Sequence, residues 1–103
     1  MEVVVHYAMT ARPDRGPELG ALLLDLAGRL ATMPGCQGTR TLVDQANPAT
    51  FVFIEFWASA ESQATAGAAL GKAVFGAIMQ CLDGPPQMRK LSPVPQAPDA
   101  SAR

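Results

Sequence analysis

Two residues that could do chemistry stand close together in an otherwise apolar run. The segment FVFIEFW, residues 51–57, contains Glu55 and Trp57. Its β-branched and aromatic residues predict a strand, in which alternate side chains point to the same face. Burial raises the pKa of a carboxyl group, which would make Glu55 a base, and an indole can stack on a planar ligand. The alternatives are an ion pair of Glu55 with Arg40 or Arg89, and a Trp57 that only fills the core.

The first predicted strand, residues 2–10, carries a second set of polar side chains. Tyr7 and Met9 share one face, and His6 alternates with them and lies on the other. A tyrosine hydroxyl could hydrogen-bond a substrate oxygen, and an imidazole could remove a phenolic proton near neutral pH. If Trp57 faces the helices, we expect Tyr7 to face them too, and we expect a structural place for His6 on the opposite face.

Composition argues against several functional classes. The 103 residues carry a net charge of −1 and no cluster of Lys and Arg, so the footprint of a nucleic-acid-binding protein is missing. We find no run of about 18 apolar residues and no export signal, and we therefore expect a cytoplasmic protein. Cys36 and Cys81 are isolated and show no metal-ligand spacing. They predict two reduced thiols and no metal site.

The remaining pattern predicts the elements that position these residues. A helix should begin at Pro17 and bury one apolar stripe, and strands should follow at residues 36–45 and 51–57. Ser59 is a good N-cap for a second helical region that runs to residue 82 with a break near Gly71. A last strand is predicted at residues 87–92, so residues 1–93 form the domain, and residues 94–103 form a disordered, proline-rich tail.

The predicted order is β-α-β-β-α-β, a ferredoxin-like α+β fold with an antiparallel sheet and the helices on one face. The strands are apolar on both sides of the pleat, whereas the helices can cover only one side. A soluble monomer does not tolerate an exposed apolar face of several hundred Å². We therefore predict a homodimer, with Val52, Ile54 and Phe56 pointing into its interface.

The chain resembles the antibiotic biosynthesis monooxygenase (ABM) domain family. The resemblance spans about residues 2–94 and rests on four features: Pro-Gly-Cys before strand two, an Asn-Pro turn, the pair Glu55 and Trp57 at the end of strand three, and an acidic helix start. It implies a dimeric α+β barrel with a pocket between the sheet and the helices of each protomer. Some members of the family oxidise polycyclic phenols with O₂ and neither metal nor flavin, and others bind and degrade haem.

The haem-degrading members use an Asn on strand one, a Trp ending strand three, and a His further along. Trp57 matches the tryptophan and Tyr7 falls near the asparagine position, but Ala66 or Gly67 stands where the histidine would be. The resemblance therefore implies no haem ligand at that place.

The best prediction is an ABM-type, cofactor-independent monooxygenase that acts on a small aromatic, phenolic or quinol-like substrate. Tyr7 and Glu55 are its candidate catalytic residues. The candidate substrate-binding residues are Trp57, Phe53, Met9, Phe75 and Met79. Two alternatives stay open: a non-catalytic dimeric barrel that binds a small ligand, and a related isomerase or cyclase.

Overall fold

Residues 1–95 are described by the computed structural model. The elements follow one another as β1 (Val3–Thr10), α1 (Gly16–Leu30), β2 (Cys36–Val43), β3 (Thr50–Trp57), α2 (Ala60–Leu70), α3 (Lys72–Gln80) and β4 (Gln87–Leu91). This confirms the predicted α+β fold, with the second helical region divided into two helices. The predicted disordered tail lies almost entirely outside the described residues.

The four strands form one antiparallel sheet in the order β2-β3-β1-β4. The register pairs Tyr7 with Phe53 and Val5 with Glu55. Because paired residues share a face, the odd-numbered residues of β1 and β3 all lie on one side of the sheet. That side is the core side, since Val5, Phe53 and Trp57 are among its most deeply buried members.

Helix α1 covers the core side of the sheet with a leucine stripe. The four buried residues of the stripe are Leu19, Leu23, Leu26 and Leu30. The helix ends at Leu30, shortly before Pro34, which cannot continue a helix. None of the helices among residues 1–95 is long and apolar enough to cross a membrane.

The second helical region begins and breaks at the predicted residues. The Ser59 hydroxyl caps α2 by accepting a hydrogen bond from the Ser62 backbone N–H at 3.1 Å. Gly71 separates α2 from α3 with φ 77° and ψ 179°. This backbone conformation is essentially restricted to glycine, so the break is built into the sequence.

The other face of the sheet carries no element among the described residues. It presents Val4 and Ala8 from β1, and Val52, Ile54 and Phe56 from β3, all partly exposed. Leu42 on β2 and Leu91 on β4 extend this open face and are 42% and 43% exposed.

Candidate functional site

A small apolar cavity lies between the sheet and helices α1 and α3. Its volume is about 50 Å³. The sheet contributes its central strands, and α1 and α3 close it from the helical side. The lining residues are Tyr7, Met9, Leu23, Leu26, Phe53, Phe75, Ile78, Met79 and Pro86.

Five of the seven residues that the sequence singled out line this cavity. Tyr7, Met9 and Phe53 come from adjacent strands, and Phe75 and Met79 come from α3. Glu55 and Trp57 do not line it. Both lie further along the same face of β3, where Trp57 is 1% exposed and packs in the core.

Sequence reasoning did not single out the other lining residues, Leu23, Leu26, Ile78 and Pro86. Leu23 and Leu26 belong to the leucine stripe of α1, which predicts the core and not which part of the core is hollow. Ile78 follows Phe75 by about one helical turn in α3 and therefore lies on the same face of the helix. Pro86 reaches the cavity from the turn before β4, and no pattern in the sequence marks it.

Tyr7 is the only lining residue whose side chain carries a hydroxyl group. Its ring packs against Phe53, with 6.4 Å between the ring centroids and a tilt of 43°. Burial, and to a lesser extent the charge of Glu55, raise the pKa of Tyr7 to about 12. The phenol is therefore protonated at neutral pH. The hydroxyl makes no hydrogen bond to any of residues 1–95, so it can donate one to a ligand.

Glu55 and Trp57 form a hydrogen-bonded pair next to the cavity lining. The indole N–H of Trp57 donates to Oε1 of Glu55 at 2.8 Å. Glu55 is 4% exposed, and burial raises the pKa of its carboxyl group, although the hydrogen bond from Trp57 works in the opposite direction. The pair therefore satisfies the indole and holds a carboxyl group that is hard to ionise.

The suggested ion pair of Glu55 with Arg40 or Arg89 is wrong. Arg40 pairs in register with Ile54, and Arg89 pairs with His6. Both arginines therefore lie on the open face, which is the side of the sheet opposite to Glu55. Both residues are exposed. His6 shares that face, as its alternation with Tyr7 predicts.

A second polar cluster holds the C-terminal end of α3 against the start of α1. The Cys81 thiol donates to Oε2 of Glu18 at 3.2 Å, and Arg15 binds the same oxygen at 3.1 Å. Burial raises the pKa of the Cys81 thiol, which keeps it in the unreactive thiol form. The cluster is a structural contact, and no sequence pattern indicates it because its members are far apart in the chain.

Clusters of three or more His, Cys, Asp or Glu side chains that could hold a metal ion do not occur among residues 1–95. Ala66, at one of the two positions that correspond to the haem-family histidine, is 4% exposed and packs in the core.

Several solved structures share this fold. SnoaB, a cofactor-independent oxygenase from Streptomyces nogalater, superposes with a TM-score of 0.79 at 16% identity, covering 95% of this chain and 98% of the other. Rv0793 from Mycobacterium tuberculosis gives 0.81 at 19% identity, covering 94% and 99%. A protein described as a putative antibiotic biosynthesis monooxygenase from Caulobacter crescentus gives 0.77 at 22% identity, covering 91% of each chain. Such identities establish the fold alone.

The sequence itself matches the family described as antibiotic biosynthesis monooxygenase, over residues 2–69. The match includes β1, α1, β2, β3 and nearly all of α2, and it ends before α3. No curated protein sequence matches the chain significantly.

Proposed function

Because the chain belongs to the antibiotic biosynthesis monooxygenase family, we propose that it is a cofactor-independent monooxygenase acting on a small aromatic, phenolic or quinol-like substrate. One observation supports this most directly. The cavity beside the sheet is walled by aromatic and aliphatic side chains and has one hydroxyl-bearing residue, Tyr7. A flat, electron-rich ring with an oxygen substituent matches both features.

The proposed reaction draws all its electrons from the substrate. A phenol or quinol that has a keto tautomer with an activated CH₂ carbon, as an anthrone has, ionises, and the electron-rich anion passes electrons to O₂. One oxygen atom then forms a C=O bond at an activated CH₂ carbon, and the other leaves as water with the two hydrogens of that carbon. Atoms and electrons balance without a second reductant. The protein has to bind the ring, stabilise the anion and keep bulk water away from the intermediate.

Tyr7 acts in this proposal as a hydrogen-bond donor to the oxygen of the substrate anion. A phenol with a pKa of about 12 remains protonated throughout the neutral range. It is therefore a poor base and a good hydrogen-bond donor to a developing negative charge. The stabilisation given by such a donor is largest in a site that excludes water. Because the cavity lining offers no other titratable side chain, the substrates expected are those that lose their phenolic proton readily by themselves.

Glu55 and Trp57 support the site from the side in this proposal. Trp57 packs in the same core as Phe53, and its indole N–H is occupied by Glu55 at 2.8 Å. Charge on Glu55 contributes to the raised pKa of Tyr7. Glu55 therefore influences the reaction through Tyr7, Trp57 holds Glu55 in place, and the proton of the substrate does not go to Glu55 directly.

Oxygen consumption tests the proposal. We expect the purified protein to accelerate O₂ uptake with members of a panel of anthrones and quinols, with one oxygen atom from ¹⁸O₂ incorporated per product. Mass spectrometry counts the label. No acceleration with any member of the panel, together with tight binding of one of them, would contradict the proposal and would favour a non-catalytic protein that binds aromatic ligands.

The non-catalytic alternative has one observation in its favour. No carboxylate, imidazole or amine lies in the cavity lining, so a substrate that cannot ionise unaided would be bound without being converted. A related isomerase or cyclase would need a positioned base in that lining, and the same absence argues against it.

We also propose that the chain works as a homodimer joined through the open face of its sheet. The central strands β1 and β3 present Val4, Val52, Ile54 and Phe56 there, and none of these is covered. The two arginines of the face lie on the edge strands, where their long side chains can reach the rim of an interface. Pairing two such faces would leave the cavities on the outer, helical sides.

A further inference from the structure

The cavity is too small for the aromatic substrates of the proposed function. An apolar cavity of about 150 Å³ is known to admit a single benzene ring. The volume here is about 50 Å³. Since close-packed interiors do not yield continuously, a ring can be admitted only if one wall moves as a unit. The inference that follows rests on the proposed function in one respect, that this cavity is the binding site.

Hydrogen bonds attach the wall supplied by α3 at one end only, and at the other end Val74 packs against the core. After the helix, the backbone N–H of Arg12 donates to the Cys81 carbonyl at 2.8 Å, and the N–H of Asp83 donates to the Thr10 carbonyl at 2.8 Å. The Arg12 side chain adds a bond to the Leu82 carbonyl at 2.9 Å. At the other end, the start of α3 has no side-chain cap, and no hydrogen bond or ion pair among residues 1–95 ties the side chains of Lys72–Phe75 to another element.

Two glycines bound the first turn of α3, Lys72–Phe75. Gly71 precedes it with a backbone conformation that only glycine adopts readily, and Gly76 follows it inside the helix. A methyl group added at Gly76 would meet no atom within 4 Å, so packing does not require glycine there. Glycine in a helix interior lowers helix stability relative to alanine. Gly76 follows Phe75 directly and therefore weakens α3 at the residue that lines the cavity.

We propose that the turn Lys72–Phe75, held between Gly71 and Gly76, is a gate that swings outward and carries the Phe75 ring away from the cavity to admit the substrate. Phe75 is half-buried in the closed state, whereas Ile78 beyond the second glycine is 5% exposed and stays with the anchored end. The residues of this gate thus lie beyond residue 69, outside the segment that matches the family.

Glycine-to-alanine variants test the gate with a matched control. Gly76→Ala should slow the association of N-phenyl-1-naphthylamine, a probe that fluoresces in apolar surroundings, by about fivefold, the factor that corresponds to the alanine-over-glycine helix preference. Gly67→Ala changes an equally uncrowded glycine in α2, which carries no lining residue. It should leave the association rate unchanged. Stopped-flow fluorescence measures both.

A second pair of variants asks whether Phe75 is the moving part. Phe75→Ala should speed association, and Gly76→Ala should have no further effect in that background. Hydrogen exchange of the wild-type protein supplies an independent readout, with the amides of residues 73–76 expected to exchange at least about tenfold faster than those of the buried α1 turns.

Equal rates for Gly76→Ala and the wild type, equal slowing by Gly67→Ala, or exchange in α3 as slow as in α1 would overturn the gate. So would a wild-type protein that never takes up the probe. Oxygen uptake is not needed for any of these measurements. Slow probe binding by Gly76→Ala, together with a wild-type protein that shows no oxygen uptake, would support the gate and contradict the proposed reaction. Oxygen uptake by the wild type, together with equal binding rates for Gly76→Ala and the wild type, would contradict the gate and support the reaction.

Discussion

Tyr7 is the single residue on which the proposed chemistry depends most. Replacing it by phenylalanine removes the hydroxyl and keeps the ring that packs on Phe53 at a centroid distance of 6.4 Å. Loss of one donor to a developing oxyanion typically lowers turnover by about 100-fold. We therefore expect Tyr7→Phe to lose turnover by about that factor at saturating substrate while KM changes little, as measured by O₂ uptake.

Thermal unfolding supplies the control for Tyr7→Phe, because the variant should melt close to the wild type. A variant with unchanged turnover would exclude Tyr7 as a donor to the substrate.

Glu55 should make the stability of the protein depend on pH. Burial raises its pKa in the folded state above the ordinary value of 4.5, so folding favours the protonated carboxyl group. The stabilisation is therefore complete below that ordinary value and is lost as the pH rises through the raised pKa. A glutamine side chain at this position would not titrate. We expect Glu55→Gln to gain in relative stability from pH 4 to pH 8, measured by urea unfolding at several pH values.

A companion variant separates the charge from the hydrogen bond. Glu55→Gln keeps an oxygen that accepts from the Trp57 indole N–H, whereas Glu55→Leu does not. Because Glu55→Leu leaves that buried N–H without a partner, its free energy of unfolding should be about 1–3 kcal/mol lower than that of Glu55→Gln at every pH. A Glu55→Gln variant whose stability difference from the wild type did not change with pH would show that the pKa of Glu55 is the same in the folded and the unfolded protein, and would contradict the effect of burial.

At the scale of elements, the break between α2 and α3 is set by one residue. Gly71 has φ 77° and ψ 179°, and any other residue there is strained. Gly71→Ala should lower the free energy of unfolding by about 1–3 kcal/mol. Gly28→Ala is the matched control, since Gly28 lies inside α1 with an ordinary helical backbone and no atom within 4 Å of an added methyl group.

Gly28→Ala should instead stabilise the protein by up to about 1 kcal/mol. Equal effects of the two substitutions in urea unfolding would show that the conformation of Gly71 is not required.

Much of the element layout could be predicted from the sequence because local signals carry it. Ser59 and Gly71 act on their own turns, and the leucine stripe of α1 repeats at the helical period. The cavity was predicted only in part. Alternation along β1 and β3 placed Tyr7, Met9 and Phe53 on the core side, but the hollow depends on how α1, α3 and the turn at Pro86 meet, which no local pattern encodes.

The incorrect prediction of an arginine partner for Glu55 shows that a side-chain contact depends on the register of the sheet, which the sequence pattern does not give. Arg40 and Arg89 are close to Glu55 in the sheet, yet the register places them on the opposite face. The partner that Glu55 does have, Trp57, is two residues away on the same strand. An alternation argument predicts that these two side chains share a face, but not that they bend toward each other into a hydrogen bond.

At the scale of the whole molecule, the open face of the sheet should decide the oligomeric state. Ile54 lies near its centre, on β3 and opposite His6. Arg40 is its cross-strand neighbour on β2, so a second positive charge buried beside it would be costly, and Ile54→Lys should convert the proposed dimer to monomers at micromolar concentration. Leu24→Lys is the matched control, because Leu24 is 65% exposed on α1, on the helical side of the sheet and away from the open face. Analytical ultracentrifugation distinguishes the two.

Dissociation by both variants, or by neither, would contradict an interface on the open face. A wild-type protein that sediments as a monomer would contradict the dimer itself.

The position of β4 has a consequence for how the polypeptide reaches its native state. β1 lies inside the sheet between β3 and β4, so the first strand of the sheet to be synthesised pairs on one side with the last, as in Val4 with Leu91. Pairings between such distant parts of a chain slow the search for the native topology. While β4 is still inside the ribosome, the backbone groups along one edge of β1 have no strand to pair with. The sheet can be completed only after β4 has emerged.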